Sequence, residues 1–174
     1  IQLMTTDYKI ITYQEAGGIC RNLREDGKTT IVKTGCFDFM HVGHVEMFER
    51  CKQIADYLIV FVGSDEVLKA LYGDSDKAKA YFDENNRIAM VSALTCVDYV
   101  VRLTEPTHNY ALSIIKPGYY HIPNDDKWTD DKRKMCDALG ITIIEEPNIG
   151  ILNHGLFIEP HSSNLKNEHR RKLQ

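Results

Sequence analysis

The chain has 174 residues, of which 43% are hydrophobic and 26% charged, and its formal net charge is −4. This length favours one domain with a core large enough to fold alone, and the negative charge argues against nucleic-acid binding. No apolar run approaches the ~20 residues of a membrane span, and five cysteines without a Cys-x-x-Cys pair predict reduced thiols in the cytoplasm. The start does not look like a signal peptide, and the lack of an initiator methionine suggests a tag remnant or a piece of a longer product.

The first part of the chain alternates helices with short apolar strands. Thr12 and Glu15 have the spacing of a capping box, which predicts a helix that continues to about residue 25. The β-branched segment 30–34 predicts a strand. Apolar residues recur with helical spacing over 45–54 and predict an amphipathic helix. The continuous apolar run 57–63 is typical of a strand buried on both faces of a parallel sheet.

The same alternation continues to the end of the chain. Helices are predicted at 64–71, 83–94, 106–115, 127–139 and from about 161 onward; strands at 98–103, 119–122 and 141–145; loops at 73–80 and 147–155. Strands that alternate with helices predict a parallel sheet covered on both faces. The expected fold class is therefore α/β, a Rossmann-like three-layer sandwich with a mainly parallel sheet.

One stretch, residues 34–44, concentrates the side chains suited to chemistry, and it links the first long strand to the next helix. Gly35 and Gly43 allow backbone to approach a ligand closely. If the helix begins near Met40, His41 and His44 lie on one face of its first turn. Free backbone N–H groups and the helix dipole favour phosphate there. Taken alone, such a pair could also be two surface histidines or half of a zinc site.

The longer string Gly-Cys-Phe-Asp-Phe-Met-His-Val-Gly-His, residues 35–44, resembles the signature of the cytidylyltransferase-like nucleotidyltransferases. The likeness extends over most of the chain and is closest to enzymes of the ADP-heptose synthase and glycerol-3-phosphate cytidylyltransferase types. It implies one nucleotidyltransferase domain over 1–174, with a helical lead-in at 1–28 and a C-terminal helix at 161–174.

The resemblance implies an enzyme that joins a nucleoside triphosphate, ATP or CTP, to a sugar phosphate or similar small phosphorylated acceptor and releases pyrophosphate. A glycerol-3-phosphate-type cytidylyltransferase is one alternative. A non-catalytic nucleotide-binding relative is an alternative of another class. The implied cofactor is Mg²⁺, held through phosphate oxygens and water rather than by a protein ligand set. We also expect a homodimer that binds neither nucleic acid nor membranes.

The resemblance also implies which residues form the site. His41 and His44 would be catalytic, donating hydrogen bonds to phosphate oxygens. The residues implied to bind nucleotide or phosphate are Thr34, Gly35, Cys36, Phe37, Gly43, Lys69, Arg87, Ser162 and Ser163. Those implied to bind the acceptor are Asn124, Asp125 and Asp126.

Several positions depart from the family's pattern. Thr34 stands where relatives often carry Asn, and Tyr72 stands where heptose-type enzymes tend to carry a basic residue. Residues 122–124, Ile-Pro-Asn, replace Lys-Gly-Gly, which removes a cation and a backbone donor. We therefore expect a different acceptor or a different way of binding it, with its phosphate nearer His41 and Lys69.

Further residues near these motifs have open roles. Lys33 either reaches toward the triphosphate or simply reaches water from the end of a strand. Asp38 is expected to fix the signature turn by accepting hydrogen bonds from backbone amides. Lys116, Lys127 and His121 are the residues that could replace the missing lysine of the Lys-Gly-Gly segment.

Overall fold

The computed structural model describes residues 5–75, 78–123 and 129–146. The predicted site residues Asn124, Asp125, Asp126, Ser162 and Ser163, and the predicted last loop and helix, lie outside these ranges. The helices are α1 Tyr13–Glu25, α2 Val42–Ile54, α3 Asp65–Tyr72, α4 Glu84–Ser92, α5 Asn109–Ile115 and α6 Thr129–Leu139. The strands are β1 Ile10–Ile11, β2 Thr30–Gly35, β3 Tyr57–Gly63, β4 Tyr99–Leu103, β5 Tyr119–Pro123 and β6 Thr142–Glu146.

The strands form one sheet in the order β1-β4-β3-β2-β5-β6, and every pair is parallel. From β2 the chain builds outward through β3 and β4, and it then returns to place β5 on the other side of β2. The direction in which the chain adds strands therefore reverses between β2 and β5. Open α/β sheets bind ligands at such a point, beyond the carboxyl ends of the strands. The predicted α/β, Rossmann-like class is confirmed.

The sheet is buried on both faces because side chains on successive strand residues alternate in direction. In β3, Ile59 and Phe61 belong to a core shared with α1, α5 and α6. Val60 and Val62 belong to a second core shared with α2 and α4. The two cores account for the continuous apolar sequence of this strand and give the predicted three layers.

Most helix starts follow their capping residues. The Thr12 hydroxyl accepts a hydrogen bond from the Glu15 amide at 3.2 Å, and the Glu15 carboxylate accepts one from the Thr12 amide at 2.7 Å. Ser64 and Asp83 accept from amides in the first turns of α3 and α4. As far as the described residues go, no helix is long and apolar enough to cross a membrane.

One local prediction is wrong, and one short strand was not predicted. The helix predicted from residue 106 begins at Asn109, because His108 has a left-handed backbone (φ 59°) and a buried ring bonded to Tyr120. The lead-in contains the two-residue strand β1, which pairs with β4 and is too short to show an alternating pattern. Next to it, the buried Lys9 ammonium donates to the Leu94 and Val97 carbonyl oxygens at 2.9 and 2.7 Å, and so fixes the lead-in to the domain.

Candidate active site

The signature begins with a tight turn at the end of β2. Phe37 has a left-handed backbone with φ 53°, and its ring folds back over Gly35. A Cβ atom at Gly35 would lie 2.6 Å from the Phe37 ring, so only glycine fits this position. The same ring contacts Phe48 of α2 at a centroid distance of 5.1 Å and the edge of His44 at 5.6 Å. Phe37 thus couples the shape of the turn to the position of His44.

The two signature histidines cap the start of α2. The predicted start near Met40 is two residues early: His41 precedes the helix in an extended conformation, and the helix begins at Val42. The Gly43 amide donates to His41 Nδ1 at 3.2 Å, and the His41 amide donates to His44 Nδ1 at 3.3 Å. A neutral imidazole that accepts at Nδ1 carries its hydrogen on Nε2. Both rings, with centroids 4.1 Å apart, are therefore Nε2–H donors.

Burial, and to a lesser degree electrostatic repulsion from His41 and Lys33 against a second positive charge, lower the pKa of His44 from 6.5 to about 4. His44 is consequently neutral near pH 7, which agrees with an Nδ1 atom that accepts from the backbone. The helix start therefore offers hydrogen-bond donors without needing imidazole protonation.

This shift predicts a pH-dependent stability. Between about pH 6.5 and 4 the unfolded chain takes up a proton at His44 that the folded chain does not, so the free energy of unfolding falls as pH is lowered through this window. The effect is at most about 3 kcal/mol, and less because solvent reaches part of the ring. We expect urea midpoints of the native chain to fall more steeply than those of His44→Asn, whose amide oxygen can replace Nδ1 as the cap but does not titrate. Parallel pH profiles would contradict this assignment.

Buried polar side chains connect the signature turn to α4 and to the segment before it. The Asp38 carboxylate accepts from the Tyr81 and Phe82 amides at 2.8 and 2.9 Å. The expected hydrogen bonds from backbone amides are confirmed, and they tie the signature turn to the segment before α4. The Arg87 guanidinium, with no exposed surface, donates to the Cys36 carbonyl at 2.7 Å and the Phe82 carbonyl at 3.1 Å. These bonds give Arg87 a structural role, and its predicted phosphate contact stays a prediction.

Arg87 also pairs with Asp65 at the start of α3, at 2.6 Å. We expect Arg87→Met to lower the free energy of unfolding by about 3 kcal/mol, because buried carbonyls that lose their donors cost about 1–3 kcal/mol each. The matched control is Arg102→Met: Arg102 pairs with Glu84 at 3.0 Å on the surface, and such pairs contribute about 1 kcal/mol or less. Urea denaturation measures both, and equal losses would show that burial of Arg87 is not decisive.

A cavity of about 750 Å³ opens at the carboxyl ends of β2, β3 and β5, beside the signature turn. Thr34, Gly35 and Cys36 line it, as do residues of α3, α5 and α6. Of the described residues, its lining does not include His41, His44, Gly43, Lys69 or Arg87. The structure thus brings one group of predicted site residues into the cavity wall and places the two histidines next to it, at the start of α2.

Two residues of the cavity lining, Tyr120 and His108, were not predicted as site residues by the sequence analysis. The Tyr120 hydroxyl lies 3.1 Å from Thr34 Oγ1 and 2.9 Å from His108 Nδ1. This chain of polar atoms crosses from β2 to β5 and to the start of α5, inside the cavity wall. Thr34, which stands where relatives often carry Asn, is therefore part of a specific network. Only the pairing of β2 with β5 could have indicated it.

The sequence model of the cytidylyltransferase-like family matches residues 32–156. The bifunctional protein HldE of a Nitratiruptor species is 36% identical over 117 residues, which cover 67% of this chain and 25% of that protein. HldE of Geobacter metallireducens is 33% identical over 113 residues, 65% of this chain and 22% of that protein. The chain thus spans about a quarter of the length of these relatives.

Solved structures show the same fold. The lipopolysaccharide core biosynthesis protein of Thermoplasma volcanium superposes with a TM-score of 0.58 and 28% identity, covering 68% of this chain and 94% of that one. Pantothenate synthetase of Thermus thermophilus gives a TM-score of 0.59 over 94% of this chain and 70% of its own, at 14% identity. The second likeness concerns the fold alone.

Proposed function

This chain belongs to the cytidylyltransferase-like family, and we propose that it is a nucleotidyltransferase that joins a nucleoside triphosphate, ATP or CTP, to a small phosphorylated acceptor and releases pyrophosphate. The observation that carries this proposal is the pair of neutral Nε2–H donors at the start of α2, next to the signature turn. Neutral donors at a helix start suit a phosphate whose charge increases in the transition state.

The reaction needs little acid–base chemistry from the protein. A phosphate monoester has a second pKa of ~6, so the acceptor oxygen is already anionic at neutral pH and attacks the α-phosphorus without a general base. The bond from that phosphorus to the bridging oxygen of the pyrophosphate breaks. The chain's part is to align the two substrates and to stabilise charge on the α-phosphate and the departing pyrophosphate, which we assign to His41 and His44.

Mg²⁺ is the cofactor we propose, to neutralise the triphosphate. In the described part of the chain, no group of three or more His, Cys, Asp or Glu side chains could hold a metal ion. Phosphate oxygens and water are the ligands we assign to it, as the resemblance implies. Ser162 and Ser163, which lie outside the described residues, stay the predicted ligands of the β- and γ-phosphates.

A sugar phosphate is the acceptor class implied by the resemblance to enzymes of the ADP-heptose synthase type. The departures from the family's pattern favour an acceptor other than heptose 1-phosphate. Ile122, at the place of the family's lysine, is buried in the core and offers no hydrogen-bond donor. Asn124, Asp125 and Asp126, outside the described residues, stay the predicted acceptor ligands. The homodimer and the cytoplasmic location also stay predictions.

A screen of pyrophosphate release tests the proposal. Four nucleoside triphosphates are combined with a panel that includes heptose 1-phosphate, other sugar phosphates and glycerol 3-phosphate. We expect release that depends on both substrates, with heptose 1-phosphate used less efficiently than the ordinary enzyme range of ~10⁴ M⁻¹s⁻¹ or above. Efficient use of glycerol 3-phosphate would favour the alternative acceptor, and nucleotide binding without release would favour a non-catalytic relative.

A further inference from the structure

Lys33 and His121 lie side by side on β2 and β5, the two strands between which the strand order reverses. Lys33 of β2 and His121 of β5 are register partners, so their side chains leave the sheet on the same face. That face carries α2, because Ile31 and Tyr119, two positions earlier on each strand, pack in the core with Phe48. Both residues are part of the cavity lining, although only 6% of Lys33 and 3% of His121 is exposed.

The surroundings of His121 leave one ring nitrogen for a ligand. His121 Nε2 lies 3.3 Å from Glu146 Oε2 at the end of β6, and Arg50 of α2 donates to the same oxygen at 2.9 Å. His121 Nδ1 is buried, and it has no hydrogen-bond partner among the residues that the structure describes. Buried polar atoms are rarely left in that state, so Nδ1 is the ring nitrogen that a ligand could engage.

The charges around this nitrogen favour an anion. Lys33 and Arg50 bring two positive charges, while Glu146 brings one negative charge and its acceptor oxygen is already shared by Arg50 and His121. His44, the nearby titratable residue at the start of α2, is neutral near pH 7. Among the charged groups that act on the His121 ring, two are positive and one is negative. In a low-dielectric wall this balance favours an anion more strongly than it would at the surface.

We propose that Lys33 and His121 bind the phosphate group of the acceptor substrate. The inference rests on the proposed function. It assigns to Lys33 and His121 the positive charge that the Lys-Gly-Gly segment supplies in the family's pattern. Ile122 cannot provide that charge, whereas the residue before it can. The Lys33 side chain is on the sheet face that carries α2, so an anion held by Lys33 lies on the same side of the sheet as the residues assigned to the α-phosphate. Both reacting phosphates would then meet at the start of α2.

The imidazole of His121 makes anion binding at this site dependent on pH. Burial and the charge of Lys33 lower its pKa, while the hydrogen bond to Glu146 opposes that effect. The groups that face it are Lys33 on β2, Glu146 on β6 and Arg50 on α2. A bound dianion favours the charged ring, in which Nδ1 becomes a donor. Anion binding therefore takes up a proton, and affinity rises as pH falls.

Matched variants distinguish the roles of the two ring nitrogens of His121. In His121→Gln the amide can replace Nε2 and keep the contact with Glu146, but nothing replaces Nδ1. In His121→Asn the amide can replace Nδ1 as a neutral donor. Charge-assisted hydrogen bonds are roughly twice as strong as neutral ones, so we expect phosphate affinity to fall at least ~10-fold in His121→Gln and Lys33→Met, and by less in His121→Asn. Lys116→Met removes the exposed lysine that is the other candidate for this charge in the described part of the chain, and its phosphate affinity should be unchanged.

The experiment is titration calorimetry with inorganic phosphate, in the presence of a non-hydrolysable triphosphate analogue so that the nucleotide site is filled. The affinity for the analogue itself is measured in every variant, and it should stay within ~2-fold of the native value, which also shows that the variant is folded. Inorganic sulfate, whose charge is constant between about pH 6 and 8, should bind more tightly at low pH to the native chain but not to His121→Asn.

Equal phosphate affinity in the native chain, His121→Gln and Lys33→Met would overturn the inference. So would a parallel loss of analogue affinity, because the pair would then serve the triphosphate. Failure of the proposed function has a different result: no pyrophosphate release with any substrate pair, while phosphate still binds and depends on His121.

Discussion

Alanine in place of His41 or His44 lowers kcat by ~100-fold or more, by analogy with the loss of one preorganised oxyanion donor. The affinity for nucleoside triphosphate changes much less, because the donors act mainly on charge that develops in the transition state. The basis is the pair of Nδ1 contacts to backbone amides, which leave Nε2–H on each ring. Steady-state kinetics with the acceptor found in the screen, together with equilibrium binding of the nucleotide, measure both quantities.

Variants with amide side chains separate the capping role of His44 from its role as an Nε2–H donor. In His44→Asn the amide oxygen can accept from the His41 amide as Nδ1 does, so the helix start keeps its cap but loses the Nε2–H donor. In His44→Gln the amide nitrogen can reach the position of Nε2. We expect the asparagine variant to be as slow as alanine and the glutamine variant to recover part of kcat. Nearly normal turnover in both alanine variants would remove these histidines from the mechanism.

Alanine at Gly35 destabilises the fold and inactivates the site together. Its Cβ would lie 2.6 Å from the Phe37 ring, which is held between the turn, Phe48 and His44. Overpacking of this kind costs about 1–3 kcal/mol. Because the displaced ring contacts His44, we also expect kcat to fall by ~10-fold or more in the variant that remains folded. Urea denaturation and pyrophosphate release measure the two effects.

Gly18→Ala is the matched control for this substitution. Gly18 lies in α1, and a Cβ atom there would meet nothing within 4 Å, so alanine should raise stability by about 0.5–1 kcal/mol. In Gly35→Ala combined with Phe37→Leu, the smaller side chain should recover part of the stability but not kcat. Native stability and native turnover in Gly35→Ala alone would show that the turn does not position His44.

The parts of the fold that sequence alone predicts are those fixed by neighbouring residues. Thr12 and Glu15 form the capping box that their spacing indicates, and β3 follows the apolar run that predicted it. The strand-to-helix crossing with His41 and His44 is also local. His41 as the capping residue, one position before the helix, was a finer detail that periodicity does not contain.

Long-range contacts account for what the sequence did not predict. Arg87 reaches the carbonyl of Cys36, a residue 51 positions away, and no local pattern distinguishes this bond from a phosphate contact. Thr34 meets Tyr120 only because β5 lies beside β2. The same pairing places His121 next to Lys33. Strand order therefore determines much of the cavity wall, and single-sequence patterns do not contain it.

The central claim is that this chain forms a bond between a nucleotide and a phosphorylated acceptor. Phosphorus NMR of the reaction mixture tests it most directly, with the best substrate pair from the screen and Mg²⁺ present. We predict pyrophosphate together with two coupled phosphorus signals of a new diphosphate linkage, both formed at least ~100-fold more slowly by His41→Ala. Nucleoside monophosphate and pyrophosphate without a coupled pair, or equal rates in native chain and variant, would contradict the account.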